Sequence, residues 1–254
     1  MNSFYSQQAG CNVRWHDLPG CGDPVVFIHG LGCASSYEYP RVVRDPLFGA
    51  RRAILIDLPG SGYSDKPERY SYKTTDQARV VAELIRHLHL DAFWLYGHSM
   101  GGSIAIETAG LLAPHVKGLM VSEPNFHAGG GMFSRSIAAQ TEQQFLLQGY
   151  DALLSAEKTA WAGCLQSNAP YAVWRAATSL VEGVYPDWEA QFLSLTCPVT
   201  LIFGELSLPD SDAERLKQKG VEVKIIPAAG HSMSWENPAA LAQTLAGCIA
   251  ESGC

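Results

Sequence analysis

The 254-residue chain is poor in charge, with 17% charged residues and a formal net charge of −7. Nucleic-acid binding needs a clustered basic face. Arg51-Arg52 and Lys217/Lys219 are too sparse to make one and read as solvated surface. No run of about eighteen apolar residues is present, so no segment is expected to span a membrane. Met1–Ser6 has neither a basic region nor an apolar run, so no secretory signal is visible. The seven cysteines (11, 21, 33, 164, 197, 248 and 254) are odd in number and never form a C-x-x-C pair. That pattern fits a reducing, cytoplasmic compartment and supplies no zinc site. Cys33 reads as a small buried apolar residue. There is no internal repeat, and no metal or organic cofactor is implied.

What is present is Gly97-His98-Ser99-Met100-Gly101, set between the apolar run Phe93–Tyr96 and the small-residue segment Gly102–Ile106. Strand, G-x-S-x-G, helix is the context in which a serine stands on a sharp, strained turn. Glycines at 97 and 101 avoid the clash that any side chain would make with the neighbouring helix or strand. A serine hydroxyl is a weak nucleophile and needs a base to take its proton. Of eight histidines, His231 is the preferred base, because it follows the last apolar run in a loop beside Gly230. His98 points away from its sequence neighbour in a tight turn, and His29 reads as loop-shaping. His16, His87, His89 and His115 read as surface or helix positions, while His127 opens the long insertion described next. The backbone N–H of Met100, at the helix start, can face a developing oxyanion.

Short apolar runs recur at Val25–Ile28, Ala53–Ile56, Phe93–Tyr96, Gly118–Val121, Val199–Phe203 and Val223–Ile226. Continuous rather than alternating apolarity predicts strands buried on both faces, as in a mostly parallel sheet flanked by helices. Thr74–Leu90 predicts an amphipathic helix opened by a Thr74/Gln77 capping box. Asn237-Pro238 predicts the start of another. Between Val121 and Thr196 the alternation stops, and aromatic residues gather with few charges. A single domain follows: core 1–123 and 190–254, with a helical cap insertion at about 124–189. Its aromatics can line a pocket, although most read as cap packing.

The chain resembles the α/β-hydrolase fold family nearly end to end. His29-Gly30-Leu31-Gly32 is similar to the family's oxyanion loop, and Asp57-Leu58-Pro59-Gly60-Ser61-Gly62-Tyr63-Ser64 to its D-x-P-G-x-G-x-S loop. Gly97–Gly101 resembles the nucleophile elbow, and Gly230-His231-Ser232 the C-terminal histidine loop. The resemblance implies Ser99 as nucleophile, His231 as base, and the Leu31 N–H as a second oxyanion donor. Asp57 is expected to organise its own loop. His127-Ala128-Gly129-Gly130-Gly131 looks like the oxyanion loop of some lipases but follows the nucleophile, so it reads as a flexible entry to the cap.

The acid departs from the family's common pattern. Gly204-Glu205-Leu206-Ser207 puts serine where many members carry aspartate. Some members, certain haloalkane dehalogenases among them, hold the acid after the strand that follows the elbow unit, where Glu123 stands here. Glu123 is preferred, with Asp210 and then Glu205 as alternatives. A serine at the elbow argues against dehalogenase and epoxide-hydrolase chemistry, which uses aspartate there. The expectation is an esterase acting on a small to medium apolar substrate through an acyl-serine. Alternatives are a C–C bond hydrolase or cofactor-free perhydrolase with the same triad, or a ligand-binding receptor on a hydrolase scaffold. The fold alone does not choose between them.

Overall fold

The computed structural model describes residues 1–251, so Cys254 lies outside the described residues. Eight strands form one sheet: β1 (Asn2–Ser6), β2 (Cys11–Leu18), β3 (Cys21–Ile28), β4 (Arg51–Asp57), β5 (Phe93–His98), β6 (Val116–Ser122), β7 (Val199–Gly204) and β8 (Glu222–Ile226). Their order is β1-β2-β4-β3-β5-β6-β7-β8. From β3 onward every pairing is parallel, while β1 and β2 join antiparallel at one edge. All six apolar runs lie in the parallel strands. Along each strand alternate residues serve opposite faces. Val26 and Ile28 join one hydrophobic layer, and Val25 and Phe27 the other.

The first layer packs under α1 (Thr74–His87) and α2 (Met100–Leu111), and the second under α7 (Pro238–Glu251). Helix α1 is shorter than the Thr74–Leu90 expected, and its capping box is absent. Lys73 is the flanking residue, and no side chain caps the helix. The reason is tertiary. The Thr74 N–H donates 3.1 Å to Ser179 Oγ of the insertion, so a distant hydroxyl satisfies the free donor that a local cap would have taken. Asn237 does cap α7, its Oδ1 accepting the Ala240 N–H at 3.2 Å.

Between β6 and β7 the chain is helical, with α3 (Met132–Ala138), shorter turns, α4 (Pro170–Glu182) and α5 (Trp188–Ser194). This insertion is stitched to the loops after β3 and β4. Trp161 Nε1 donates to Leu31 O at 2.8 Å, Asn168 Nδ2 to Cys33 O at 3.2 Å, and the Ala169 N–H to Gly60 O at 2.9 Å. Trp188, fully buried, returns to the body by donating from Nε1 to Glu107 Oε1 on α2 at 2.9 Å. Helix α6 (Ser211–Gln218) follows β7. Among the described residues, no helix is long and apolar enough to cross a membrane.

Candidate active site

Ser99 occupies the single residue between β5 and α2, with φ 52° and ψ −123°. That is a backbone conformation L-residues seldom hold, and it persists only where the surroundings enforce it. They do so by close approach. A Cβ on Gly97 would lie 2.2 Å from the Gly101 carbonyl oxygen, and one on Gly101 would lie 2.2 Å from that of Ile28. The Ser99 N–H donates 2.8 Å to Ser122 O, fastening the turn to the end of β6. Met100 begins α2, where the first N–H groups have no intrahelical acceptor. Gly30 lies directly over the turn, since a Cβ there would sit 3.4 Å from Ser99 Cβ. This brings Leu31, next along the loop, to the same edge of the sheet.

His231 and Glu123 meet across 108 residues of sequence: His231 Nδ1 donates to Glu123 Oε2 at 2.6 Å. Glu123, the residue after β6, holds φ 41°, and its N–H donates to Ile202 O. Its other oxygen, Oε1, accepts the Gly204 N–H at 2.9 Å. Burial works to raise the Glu123 pKa, but the His231 hydrogen bond and charge, with Gly204 and Ser207, outweigh it. The carboxyl is held below its ordinary range. Ser207 therefore lies beside Glu123. Asp210 instead caps α6, accepting the N–H groups of Asp212 and Ala213 at 2.8 and 3.0 Å. Glu205 accepts the Ala228 N–H at 2.8 Å.

His98 packs its ring 4.6 Å from that of His231 and bonds Ser122 Oγ through Nδ1 at 3.0 Å. Burial, then the neighbouring His231, pushes its pKa down to about 3, so it stays neutral. His29 bridges Gly30 O and the Leu58 N–H and shapes its loop. Asp57 does the same for its own, accepting from the Ser36 and Tyr63 N–H groups and the Ser36 hydroxyl. His127 sits apart among Asp187, Glu189 and Arg215.

Ser99, His231 and Glu123 all line one cavity of about 450 Å³. Of the insertion's aromatics, Phe133 and Trp161 form its wall, with ring centroids 4.7 Å apart. Phe145 and Trp188 are fully buried packing, and Tyr185 is wholly exposed. Cys33 and Glu38 also face the cavity, both buried. Glu38 was not singled out from the sequence. Its one signal there is an acid standing alone among Ser35, Ser36, Tyr37 and Tyr39.

The model of the alpha/beta hydrolase family matches residues 25–244. The chain belongs to that family. The dihydrolipoyllysine-residue acetyltransferase component of an acetoin cleaving system from Pseudomonas putida is 25% identical over 247 residues, covering 91% of this chain. The match spans only 65% of that protein's length. Among solved structures, a thermophilic esterase from Thermogutta terrifontis has a TM-score of 0.81 at 19% identity, covering 100% of this chain and 99% of its own. An esterase from Exiguobacterium antarcticum has a TM-score of 0.77 at 19% identity, covering 98% of each chain. At such identity these likenesses bear on the fold.

Proposed function

We propose that this family member is a serine hydrolase cleaving carboxylic esters of small to medium apolar substrates through an acyl-serine intermediate. The observation that carries the reading is the 2.6 Å His231–Glu123 bond in the same cavity wall as the strained Ser99. A carboxylate on Nδ1 fixes the tautomer that leaves Nε2 free to accept a proton, and it stabilises the imidazolium that results. Ser99 Oγ then attacks the ester carbonyl carbon while His231 takes its proton. The carbonyl oxygen becomes an oxyanion facing the N–H groups of Leu31 and Met100. Collapse expels the alkoxide, which receives the proton from His231. Water repeats the sequence on the acyl-serine and releases the acid.

The cavity lining supports an uncharged substrate. Glu38, Glu123, Glu157, Asp210 and Asp212 all contribute to it, and no Lys or Arg does among the described residues. A dienoate or another carboxylate substrate of a C–C hydrolase would enter an acidic pocket without a cationic partner. A pure ligand-binding role leaves the strained serine and the histidine–carboxylate pair without a purpose. The division into a core (1–123 and 190–254) and a cap (about 124–189) belongs to the same proposal. So does a cytoplasmic location, supported by the free thiols at Cys11, Cys21, Cys33, Cys164 and Cys197.

The test is a time course of p-nitrophenol release from acetate, butyrate and octanoate esters, run beside Ser99→Ala. Steady turnover that vanishes in the variant is expected, with the chain-length preference sizing the pocket. Equal rates in the two proteins would refute Ser99 as the acyl acceptor. A single burst without steady turnover would favour a binding role.

A further inference from the structure

A second carboxyl group stands against the site without a part in the reaction written above. Glu38 ends the short helical segment Ser35–Glu38 that follows the Gly30–Gly32 loop. It is 2% exposed yet faces the cavity that holds Ser99, His98 and His231. Its Oε1 accepts from Ser234 Oγ at 3.0 Å, a contact spanning 196 residues of sequence. The Gly30 N–H and the Cys33 thiol lie near enough to its carboxyl group to favour the charged form. Oε2 is buried with no hydrogen-bond partner. Gly30 immediately precedes Leu31, and Ser234 lies three residues beyond His231. Glu38 thus joins the loop of the proposed oxyanion donor to the loop of the proposed base.

We propose that Glu38 is a positioning residue for His231, which holds the two loops together and, when ionised, stabilises the imidazolium that forms as Ser99 is deprotonated. This rests on the serine-hydrolase reading of the site. Among the described residues, the titratable groups around Glu38 leave His231 as the cation it faces, with the ionised Glu123 bonded to that same ring. Cys33 and Tyr39 come from its own segment and Tyr96 from β5. The Cys33 thiol is held protonated by its hydrogen bond to Cys164, by burial and by Glu38. Burial keeps both tyrosines neutral. His98, on the same wall, is neutral as well.

Complete burial raises the Glu38 pKa to about 7, against the pull of Ser234, Cys33 and the His231 charge. Below that pH Glu38 is neutral, and above it Glu38 carries the charge that the imidazolium feels. The interaction is reciprocal, because a cation at His231 that eases ionisation of Glu38 is itself eased by the ionised carboxylate. An opposite charge at close range is worth roughly one pKa unit or more, which is about tenfold in an equilibrium.

The test measures kcat/KM on p-nitrophenyl butyrate from pH 5.5 to 9 for the intact protein, Glu38→Gln and Ser234→Ala. The ratio of wild type to Glu38→Gln is expected to be near 1 at pH 6 and to rise to about 10 at pH 8.5, with its midpoint near 7. Ser234→Ala loses the tie and also a bond that holds the Glu38 pKa down, so its kcat should fall at every pH and its rise with pH should move upward. A wild-type to Glu38→Gln ratio that stays flat across the range would overturn the proposal, leaving Glu38 a structural residue. If Glu38→Gln does not fold, a side-chain carboxyl NMR titration of the wild-type protein decides. A Glu38 midpoint near 7 that moves upward in His231→Asn supports the inference, and an ordinary carboxylate midpoint indifferent to that change refutes it. Turnover that survives in Ser99→Ala would defeat the ester reading instead, and the carboxyl titration does not depend on that reading.

Discussion

Glu123→Gln changes the side chain by one atom type and should disable the site. Glu123 has two acceptor oxygens, and both are engaged by N–H donors: Gly204 at 2.9 Å and His231 Nδ1 at 2.6 Å. Glutamine keeps one acceptor and replaces the other with NH₂. If the NH₂ turns towards His231, Nδ1 must become the acceptor and the proton moves to Nε2, where it blocks the proposed base. If it turns towards Gly204, a backbone N–H is left facing a donor, at a cost of about 1–3 kcal/mol. In either orientation the negative charge beside the forming imidazolium is gone. For charges about 4 Å apart at an effective dielectric near 20 that is about 4 kcal/mol, or roughly 10³ in rate. The expected result is therefore a kcat/KM loss on the order of 10³ for ester hydrolysis, with the thermal midpoint lowered by only a few degrees. Asp210→Asn should cost less than about tenfold, because Asp210 caps α6. Mild, equal losses from the two variants would refute the assignment of the acid.

Two further outcomes test how the insertion is anchored. Trp188→Phe keeps an aromatic ring in place but removes part of the buried indole and the Nε1 donor from Glu107 Oε1, whose other oxygen accepts from Thr75 Oγ1 at 2.5 Å. A loss of about 1–3 kcal/mol in urea unfolding is expected, and an unchanged midpoint would show that this bond carries no weight. Glu189, nine-tenths buried on α5, receives Arg215 from α6 and Lys219 from just past its end, the latter at 2.7 Å. The Arg215 hydrogen bond chiefly, with Lys219 and against burial, pulls its pKa down to about 2. A depressed folded pKa gives stability that is present above the unfolded value of about 4.3 and lost as pH falls towards 2. Glu189→Gln should flatten the fall in thermal midpoint between pH 4.5 and 2, and an unaltered slope would contradict that.

The parallel part of the sheet was legible because strands covered on both faces must be continuously apolar, as Val25–Ile28 and Phe93–Tyr96 are. Strands β1 and β2 were not. Only alternate residues there turn inward (Phe4 and Ser6, then Cys11, Val13 and Trp15), and so short an alternation does not stand out from a loop. The Thr74 cap failed for a different reason: local spacing says nothing of a hydroxyl 105 residues away that can take its place. Ser99 and His231 were readable as types in ordered loops. Glu38 was not, because its burial follows only when the loops holding Gly30 and Ser234 close over it. Of the insertion's aromatics, only the folded chain separates Phe133 and Trp161, on the cavity, from Phe145 and Trp188 in the packing.

The position of the acid joins these points. A carboxylate that serves His231 must come from a strand end close to the histidine loop, and β6 and β7 are adjacent in the sheet. Ser207, just past β7, cannot carry charge. Its contact with Glu123 lets the neighbouring strand support the carboxylate in place of supplying it. The left-handed backbone of Glu123, φ 41°, turns the chain just past the end of β6, where its N–H still bonds Ile202 O on β7. Of the three proposed triad residues, Ser99 and Glu123 hold a positive φ; they follow β5 and β6 and are linked through Ser122, whose carbonyl accepts the Ser99 N–H. Two adjacent strand ends thus hold the two strained residues of the site in fixed register. The less regular insertion is left to shape what enters the cavity, which is why the proposed chemistry could be read from short motifs while the pocket could not.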